Sequence, residues 1–302
     1  MRILVTGREG QVARSLAERA PVSGVELQLL GRPELDLAGP AYAIVAAIEA
    51  ARPDAIISAA AYTQVDKAES EPDLAFAVNE SGARALARAA AELRVPLIHF
   101  STDYVFDGFK AEPYGEDDSP APAGIYGASK FAGEQAVAAE HANSAVLRTA
   151  WVYSPFGTNF VKTMLRVADT RDEVSVVADQ RGNPTSALDI AGAVLSVARN
   201  LVERNEPDLR GVFHMTASGE ASWADFAEAI FSFSAEVGGP SAQVKRISTA
   251  DYPTAAKRPA NSRLDCSRLE RVHGIRLPDW RESLQTVVER LVQSSAPGAA
   301  TR

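Results

Sequence analysis

The chain has 302 residues, 46% hydrophobic and 23% charged, enough for one large core or two unequal domains, and this balance excludes disorder and collagen-like structure. Its single cysteine, Cys266, cannot form an internal disulfide, and its net charge of -8 argues against broad binding to nucleic acid or an anionic membrane. The opening residues are too short an apolar run for a signal peptide and no later segment is a membrane-length apolar run, so a cytoplasmic protein is expected.

In chain order, short β-branched runs at 2–5, 25–30, 55–58 and 96–100 read as buried parallel strands. Between them, 11–19, 41–51 and 73–93 carry apolar residues at three- and four-residue spacing and predict helices. A helix from about 126 to 140 and a strand at 145–148 follow. This alternation predicts an α/β fold with a doubly wound parallel sheet and right-handed crossovers. Further on, 185–201 reads as an amphipathic helix and 211–215 as a short strand returning to the main sheet. Ser222 caps a helix with Asp225 completing the box, and Trp223, Phe226, Ala227, Ile230 and Phe231 form its core face. The expected division is residues 1–150 with about 186–216 in a nucleotide-binding domain, and about 151–185 with 217–292 in a smaller, discontinuous C-terminal domain. Residues 293–302, rich in small residues, are expected to be a frayed tail.

After the first strand, Gly7-Arg8-Glu9-Gly10-Gln11-Val12-Ala13 opens a helix. Gly7 allows a tight turn, and Gly10 lets a pyrophosphate approach the backbone at a helix N-terminus, where amide donors and a partial positive charge await it. Taken alone the pattern is also met in ordinary glycine turns; its place in a strand-turn-helix unit points to a dinucleotide in a Rossmann-type sheet. The second strand ends in Leu30-Gly31-Arg32 with no carboxylate for an adenosine ribose. Arg32 is therefore either a contact for a 2'-phosphate, favouring NADPH over NADH, or a solvated loop charge. Asp36 and Leu37 lie near the adenine end, and Ala60, Ala61, Tyr62 and Thr63 after the third strand offer a surface for the ribose-nicotinamide half.

Tyr126-Gly127-Ala128-Ser129-Lys130 sets a phenol and an ammonium on one helix face. The strand before it ends in Ser101-Thr102-Asp103-Tyr104, so Thr102 emerges at the carboxyl end of a central strand, where open α/β sheets bind ligands. These types suit ketone reduction: Tyr126 delivers the proton as a hydride arrives, Thr102 orients the carbonyl, and Lys130 holds the nicotinamide ribose. Moving a phenol from about 10 to about 7 takes roughly 4 kcal/mol of phenolate stabilisation, for which the Lys130 ammonium is the expected source. The four histidines have no metal-ligand spacing, and neither a Gly-x-Ser-x-Gly elbow nor a Walker loop occurs.

Longer strings extend the pattern. They are Ala59-Ala60-Ala61-Tyr62-Thr63-Gln64-Val65-Asp66-Lys67-Ala68-Glu69, Ser101 to Gly108, Arg148-Thr149-Ala150-Trp151-Val152-Tyr153, Asp179-Gln180-Arg181-Gly182-Asn183-Pro184-Thr185 and Arg258 to Asp265. With these the chain resembles, nearly end to end, the dTDP-4-dehydrorhamnose reductase family of extended short-chain dehydrogenases/reductases. The resemblance implies NADPH- or NADH-dependent reduction of the 4-keto group of a dTDP-deoxysugar, with Thr102, Tyr126 and Lys130 catalytic. It implies Gly10, Gln11 and Val12 at the cofactor pyrophosphate and Ala61, Tyr62 and Thr63 at its ribose-nicotinamide half. Val65, Thr102, Asp103, Tyr104 and Trp151 are implied at the sugar nucleotide, with Trp151 read alternatively as a core residue. Arg258 is either a diphosphate clamp or an inter-domain salt bridge. Some relatives are Mg2+-dependent homodimers; here no residues are assigned to a metal, and monomer and homodimer both stay open. The same motifs fit a ketoreductase for another dTDP-deoxysugar. A non-catalytic relative regulates methionine adenosyltransferase, a role against which the intact Thr102, Tyr126 and Lys130 count.

Overall fold

Six runs line up as one parallel sheet in the computed structural model, which describes residues 1–295, and all but the edge strand at 26–30 carry buried residues. They are β1 (Arg2–Thr6), β2 (Glu26–Leu30), β3 (Ala55–Ser58), β4 (Leu97–Thr102), β5 (Ser144–Thr149) and β6 (Gly211–His214). Their order is β6-β5-β4-β3-β1-β2. The chain passes from β1 outward to β2 and then back across to β3, so the switch in winding direction lies between β1 and β3. In such sheets the crevice beyond the carboxyl ends of those strands receives the ligand.

Side chains alternate across the sheet as the strand period of two demands. The helices that cover it are α1 (Gln11–Arg19), α2 (Ala41–Ala51), α3 (Ala83–Leu93), α4 (Ile125–Glu140) and α5 (Ala187–Glu203). Leu4, Ile56, Leu97 and Val146 point to one face, against Ile44 and Ile48 of α2, Leu86 of α3 and Val137 of α4. Ile3, Val5, Ile57, Ile98 and Leu147 point to the other, against Leu16 of α1 and Ile190, Val194 and Val197 of α5. Burying each such side chain stabilises the fold by about 1.5–3 kcal/mol before entropy is charged against it.

Two predicted helices differ from expectation. The 73–93 stretch is broken into Pro72–Phe76, a π turn at Ala77–Gly82 and then α3. The turn ends on a glycine that packs tightly, since a Cβ on Gly82 would come within 2.7 Å of the Leu37 carbonyl oxygen. The 185–201 helix begins at Ala187 instead, since Thr185 and Ser186 pair with Val152 and Tyr153, and the Ser186 hydroxyl then caps the Leu188 amide. β4 runs two residues further than read, which carries regular strand geometry up to Thr102.

A second hydrophobic cluster gathers the rest of the chain. It contains Val161, Met164 and Leu165 from the helix Phe160–Ala168, Val174 and Val176 from Glu173–Val177, and the apolar faces of α6 (Trp223–Glu236) and α7 (Trp280–Ser295). Glu173–Val177 pairs in parallel with Gln243–Ile247. The Ser222 and Asp225 capping box forms in full. α7 runs to Ser295, with Val292 against the cluster; the rest of the stretch expected from about 293 to be a frayed tail lies outside the described residues. Side chains of Gln11 reach across to this part, donating to the Val152 carbonyl at 3.3 Å and accepting from Ser154 and Asn159 at 2.9 Å each.

Candidate active site

One cleft of about 1320 Å³ runs along the carboxyl ends of β1, β3 and β4. Every residue put forward from the sequence for cofactor, substrate or catalysis lines it, with Arg258 the exception. Its first wall is the β1-to-α1 turn. Gly7 has φ +94°, a conformation that L side chains rarely adopt, and its amide donates to the Leu30 carbonyl at 2.6 Å. Gly10 caps α1 without any side-chain hydrogen bond, and a Cβ built there meets nothing within 4 Å. Protein packing therefore does not demand a glycine at 10, and the missing side chain leaves the first amides of α1 open to the cleft.

Beside this turn, the loop after β3 is fixed by a residue that the sequence reading missed. Asn79, 1% exposed in the π turn, accepts from the Tyr62 amide at 2.8 Å, donates to the Tyr62 carbonyl at 3.1 Å and donates to Ser129 on α4 at 3.0 Å. It thus sets the cofactor loop against the helix that carries Tyr126 and Lys130. An asparagine at an apolar helix position was the available signal, since a buried amide needs partners. Thr6 adds a second tie by accepting from the Ala60 amide at 3.0 Å.

At the adenosine end, Arg32 is exposed and lines the cleft, while Asp36 accepts from the Ala38 amide at 3.0 Å and Leu37 is buried. Arg8, also missed, lines the cleft and pairs with Glu34 at 2.8 Å. Two guanidinium groups therefore line this end, one of them paired with the Glu34 carboxylate.

The three proposed catalytic side chains converge at the other end of the cleft. Thr102, at the last position of β4, is 4% exposed; its oxygen accepts from the Tyr104 amide at 3.2 Å, and its hydroxyl donates to Asp103 Oδ1 at 3.0 Å. The Tyr126 phenol lies within hydrogen-bonding reach of Thr102. Lys130 is 3% exposed and its Nζ donates to the Phe100 carbonyl at 2.6 Å. Gly127 and Gly133 let α4 lie this close: a Cβ would fall 2.1 Å from the Tyr104 carbonyl oxygen at 127 and 2.2 Å from that of Asn79 at 133.

Electrostatics correct one expectation. The Tyr126 phenol is shifted upward, chiefly by burial and further by the Asp103 and Tyr104 charges, with only the Thr102 hydrogen bond opposing. Lys130 does not contribute, because its ammonium turns back to the β4 backbone; burial lowers it to about 8, against the pull of Glu134. Tyr126 is thus held as a protonated acid and not drawn toward phenolate, which suits delivery of a proton. His99, beneath Lys130, is driven well below its usual range by burial and by that ammonium.

The wall beside Tyr126 is built from both parts of the chain. The Tyr104 ring meets that of Tyr126 edge-on at 5.5 Å. Arg258 donates to the Tyr104 hydroxyl at 3.0 Å and to Asp66 at 2.5 Å, so of its two readings the salt bridge is the one formed. Trp151 sits at φ +49°, strained for a bulky residue, and stacks on Trp223 at 3.6 Å while still lining the cleft. Gly182 makes room for it, since a Cβ there would lie 2.5 Å from the indole. Among the described residues no three His, Cys, Asp or Glu side chains converge to hold a metal, and no step is assigned to Mg2+. Nor is any described helix long and apolar enough to cross a membrane.

A parallel sheet with a glycine-loop crevice at its switch point and a Thr, Tyr and Lys set beside it defines a nicotinamide-dependent oxidoreductase of the extended short-chain type. The family model described as RmlD substrate binding domain matches residues 1–293. A protein of Sinorhizobium fredii named dTDP-4-dehydrorhamnose reductase is 56% identical over 292 residues, covering 97% of this chain and 98% of its own. The solved structure of a dTDP-4-dehydrorhamnose reductase from Clostridium acetobutylicum superposes with a TM-score of 0.89 at 37% identity, covering 96% of this chain and 99% of that one. That of Bacillus anthracis, in complex with NADP, gives 0.87 at 37%, covering 95% and 98%. The chain belongs to the dTDP-4-dehydrorhamnose reductase family.

Proposed function

We propose that the chain reduces the 4-keto group of dTDP-4-dehydro-β-L-rhamnose to give dTDP-L-rhamnose. The observation that carries this reading is the convergence of Thr102, Tyr126 and Lys130 in the same cleft as the open amides of α1. Residues 1–150 with 186–216 hold the dinucleotide, and 151–185 with 217–292 hold the sugar nucleotide. A reduced nicotinamide bound along the β1 and β3 ends supplies the hydride. Gly10, Gln11 and Val12 meet the pyrophosphate, and Ala60 to Thr63 line the path of the ribose and nicotinamide. Tyr126, kept protonated by burial, gives its proton to the sugar oxygen as alkoxide charge develops. Thr102 donates to the same oxygen, and Lys130, which rests on the Phe100 carbonyl, turns from it to the nicotinamide ribose when the cofactor binds. Val65, Tyr104 and Trp151 shape the sugar end, and Arg258 leaves Asp66 to clamp the diphosphate.

NADPH is the preferred donor in this reading, because Arg8 and Arg32 flank the adenosine end and Arg8 exchanges Glu34 for a 2'-phosphate. The enzyme works in the cytoplasm. The test is incubation with enzymatically generated dTDP-4-dehydrorhamnose and either reduced cofactor, following cofactor oxidation together with dTDP-rhamnose formation. Turnover faster with NADPH is expected, and folded protein that turns over neither cofactor overturns the assignment.

A further inference from the structure

Asp103 is a carboxylate in the catalytic end of the cleft, and the mechanism above gives it no work. It is 3% exposed and lines the cleft. Its Oδ1 takes the only proton that the Thr102 hydroxyl has, at 3.0 Å, and its Oδ2 is buried without a well-formed hydrogen bond. The Thr102 oxygen in turn accepts from the Tyr104 amide and lies in reach of the Tyr126 phenol. In this arrangement Thr102 has no proton left to offer a ketone, although the Tyr126 phenol stands beside it. For both hydroxyls to face a substrate oxygen, Asp103 must stop accepting.

A protonated carboxyl achieves this, because its own O–H donates to the Thr102 oxygen and releases the Thr102 proton toward the cleft. We propose that Asp103 is a positioning residue that carries a proton in the productive complex and so sets the direction of the Thr102 hydroxyl. This rests on the ketoreductase reading of the site. Burial lifts Asp103 to about 6, against the pull of Ser262, Thr102 and nearby backbone amides. The other groups around it are the phenols of Tyr104 and Tyr126, Arg258 and Asp66 beyond Tyr104, and Lys130 turned away onto Phe100. A sugar nucleotide that displaces water from the cleft raises Asp103 further, so its binding takes up a proton.

The test compares wild type with Asp103→Asn, whose amide N–H donates to Thr102 as the neutral acid does, and with Asp103→Leu, which does not. Wild-type kcat/KM for the ketosugar is expected to fall with rising pH, approaching about tenfold per unit above the Asp103 midpoint. Asp103→Asn is expected to remove this decline and to exceed wild type at about pH 8, with NADPH affinity unchanged, whereas Asp103→Leu loses kcat throughout. Persistence of the decline in Asp103→Asn overturns the proposal, as does a raised KM with unchanged kcat, which would make Asp103 a substrate contact. Should the amide variant not fold, titration calorimetry of dTDP-L-rhamnose into wild type in two buffers decides. Uptake of close to one proton supports the role and no uptake overturns it. A wild type that turns over no ketosugar with either cofactor removes the ketoreductase reading and this one together, an outcome distinct from a working wild type whose pH profile Asp103→Asn leaves unaltered.

Discussion

Tyr126 lies near Thr102 and meets the Tyr104 ring edge-on, in surroundings whose burial and nearby charges favour its protonated form against the pull of Thr102. Tyr126→Phe keeps the ring and removes only the proton. Turnover is expected to fall by about 10²–10⁴-fold, with NADPH affinity by fluorescence titration nearly unchanged; a rate within a few-fold of wild type contradicts the assignment of the acid. Arg8 is the second residue to test. Arg8→Ala is expected to weaken NADPH by about tenfold and leave NADH close to wild type, since only one of the two carries a 2'-phosphate for the guanidinium. Equal effects on both would reduce Arg8 to a partner of Glu34. The sequence made Tyr126, Lys130 and Thr102 legible because a phenol and an ammonium four apart need one helix face and a strand end nearby. It did not reveal where the Lys130 ammonium goes, because the Phe100 carbonyl that takes it is supplied by a different element. Arg8 was passed over for the same reason: its position in the glycine turn was plain, but its partner Glu34 comes from the loop after β2.

Helix α4 connects the site to the core through a third charged residue. One turn beyond Lys130, Glu134 forms a two-pronged pair with Arg148 of β5 at 2.9 and 2.7 Å, both side chains 4% exposed. Glu134 also raises the affinity of Lys130 for its proton. Removing one partner of such a pair leaves a buried charge unmatched, so Glu134→Gln is expected to cost about 3–5 kcal/mol by denaturant unfolding. A cost under about 1 kcal/mol would mean that water reaches Arg148. The element boundaries show what periodicity can and cannot carry. The runs 11–19, 41–51 and 55–58 match their elements because the two helices each have one buried face and the strand is a short apolar run buried on both. The π turn at Ala77–Gly82 escaped, since the apolar spacing continues through it, and the contacts it makes, Gly82 against Leu37 and Asn79 with Tyr62, are with segments distant in sequence.

At the scale of the molecule, several histidines are held neutral by burial. His214 is lowered to about 3 and His273 to about 4 from the usual 6.5, and His99 is lowered strongly as well. Below 6.5 the unfolded chain binds protons that the fold refuses, so stability is lost as pH falls from 6.5 toward these values. Each such histidine costs about 1.4 kcal/mol per pH unit in that window. Asp103 acts in the opposite sense between 3.8 and about 6, where the folded form binds the proton more tightly, and offsets part of the loss. The thermal midpoint is expected to drop steadily from about pH 6.5 to about 4.5, and a flat profile there would contradict neutral burial. The net charge of -8 argues against a broad anion-binding surface, yet the proposed ligands each carry a diphosphate. Local features reconcile these: the open amides of α1, Arg8 and Arg32 at one end, and Arg258 at the other. That division of labour was visible in the glycine turn, but the joining of the two parts through Gln11, Ser154 and Asn159 was not, because those residues lie far apart in the chain.

Hydride transfer from the nicotinamide to carbon 4 of the sugar is the claim on which the account turns. It is tested most directly by supplying dTDP-4-dehydrorhamnose with NADPH deuterated at the transferable position and examining the sugar product by NMR and mass spectrometry. The account predicts dTDP-L-rhamnose with one deuterium, at carbon 4. Product without deuterium at that carbon, or consumption of the ketosugar with no oxidation of NADPH, would contradict it.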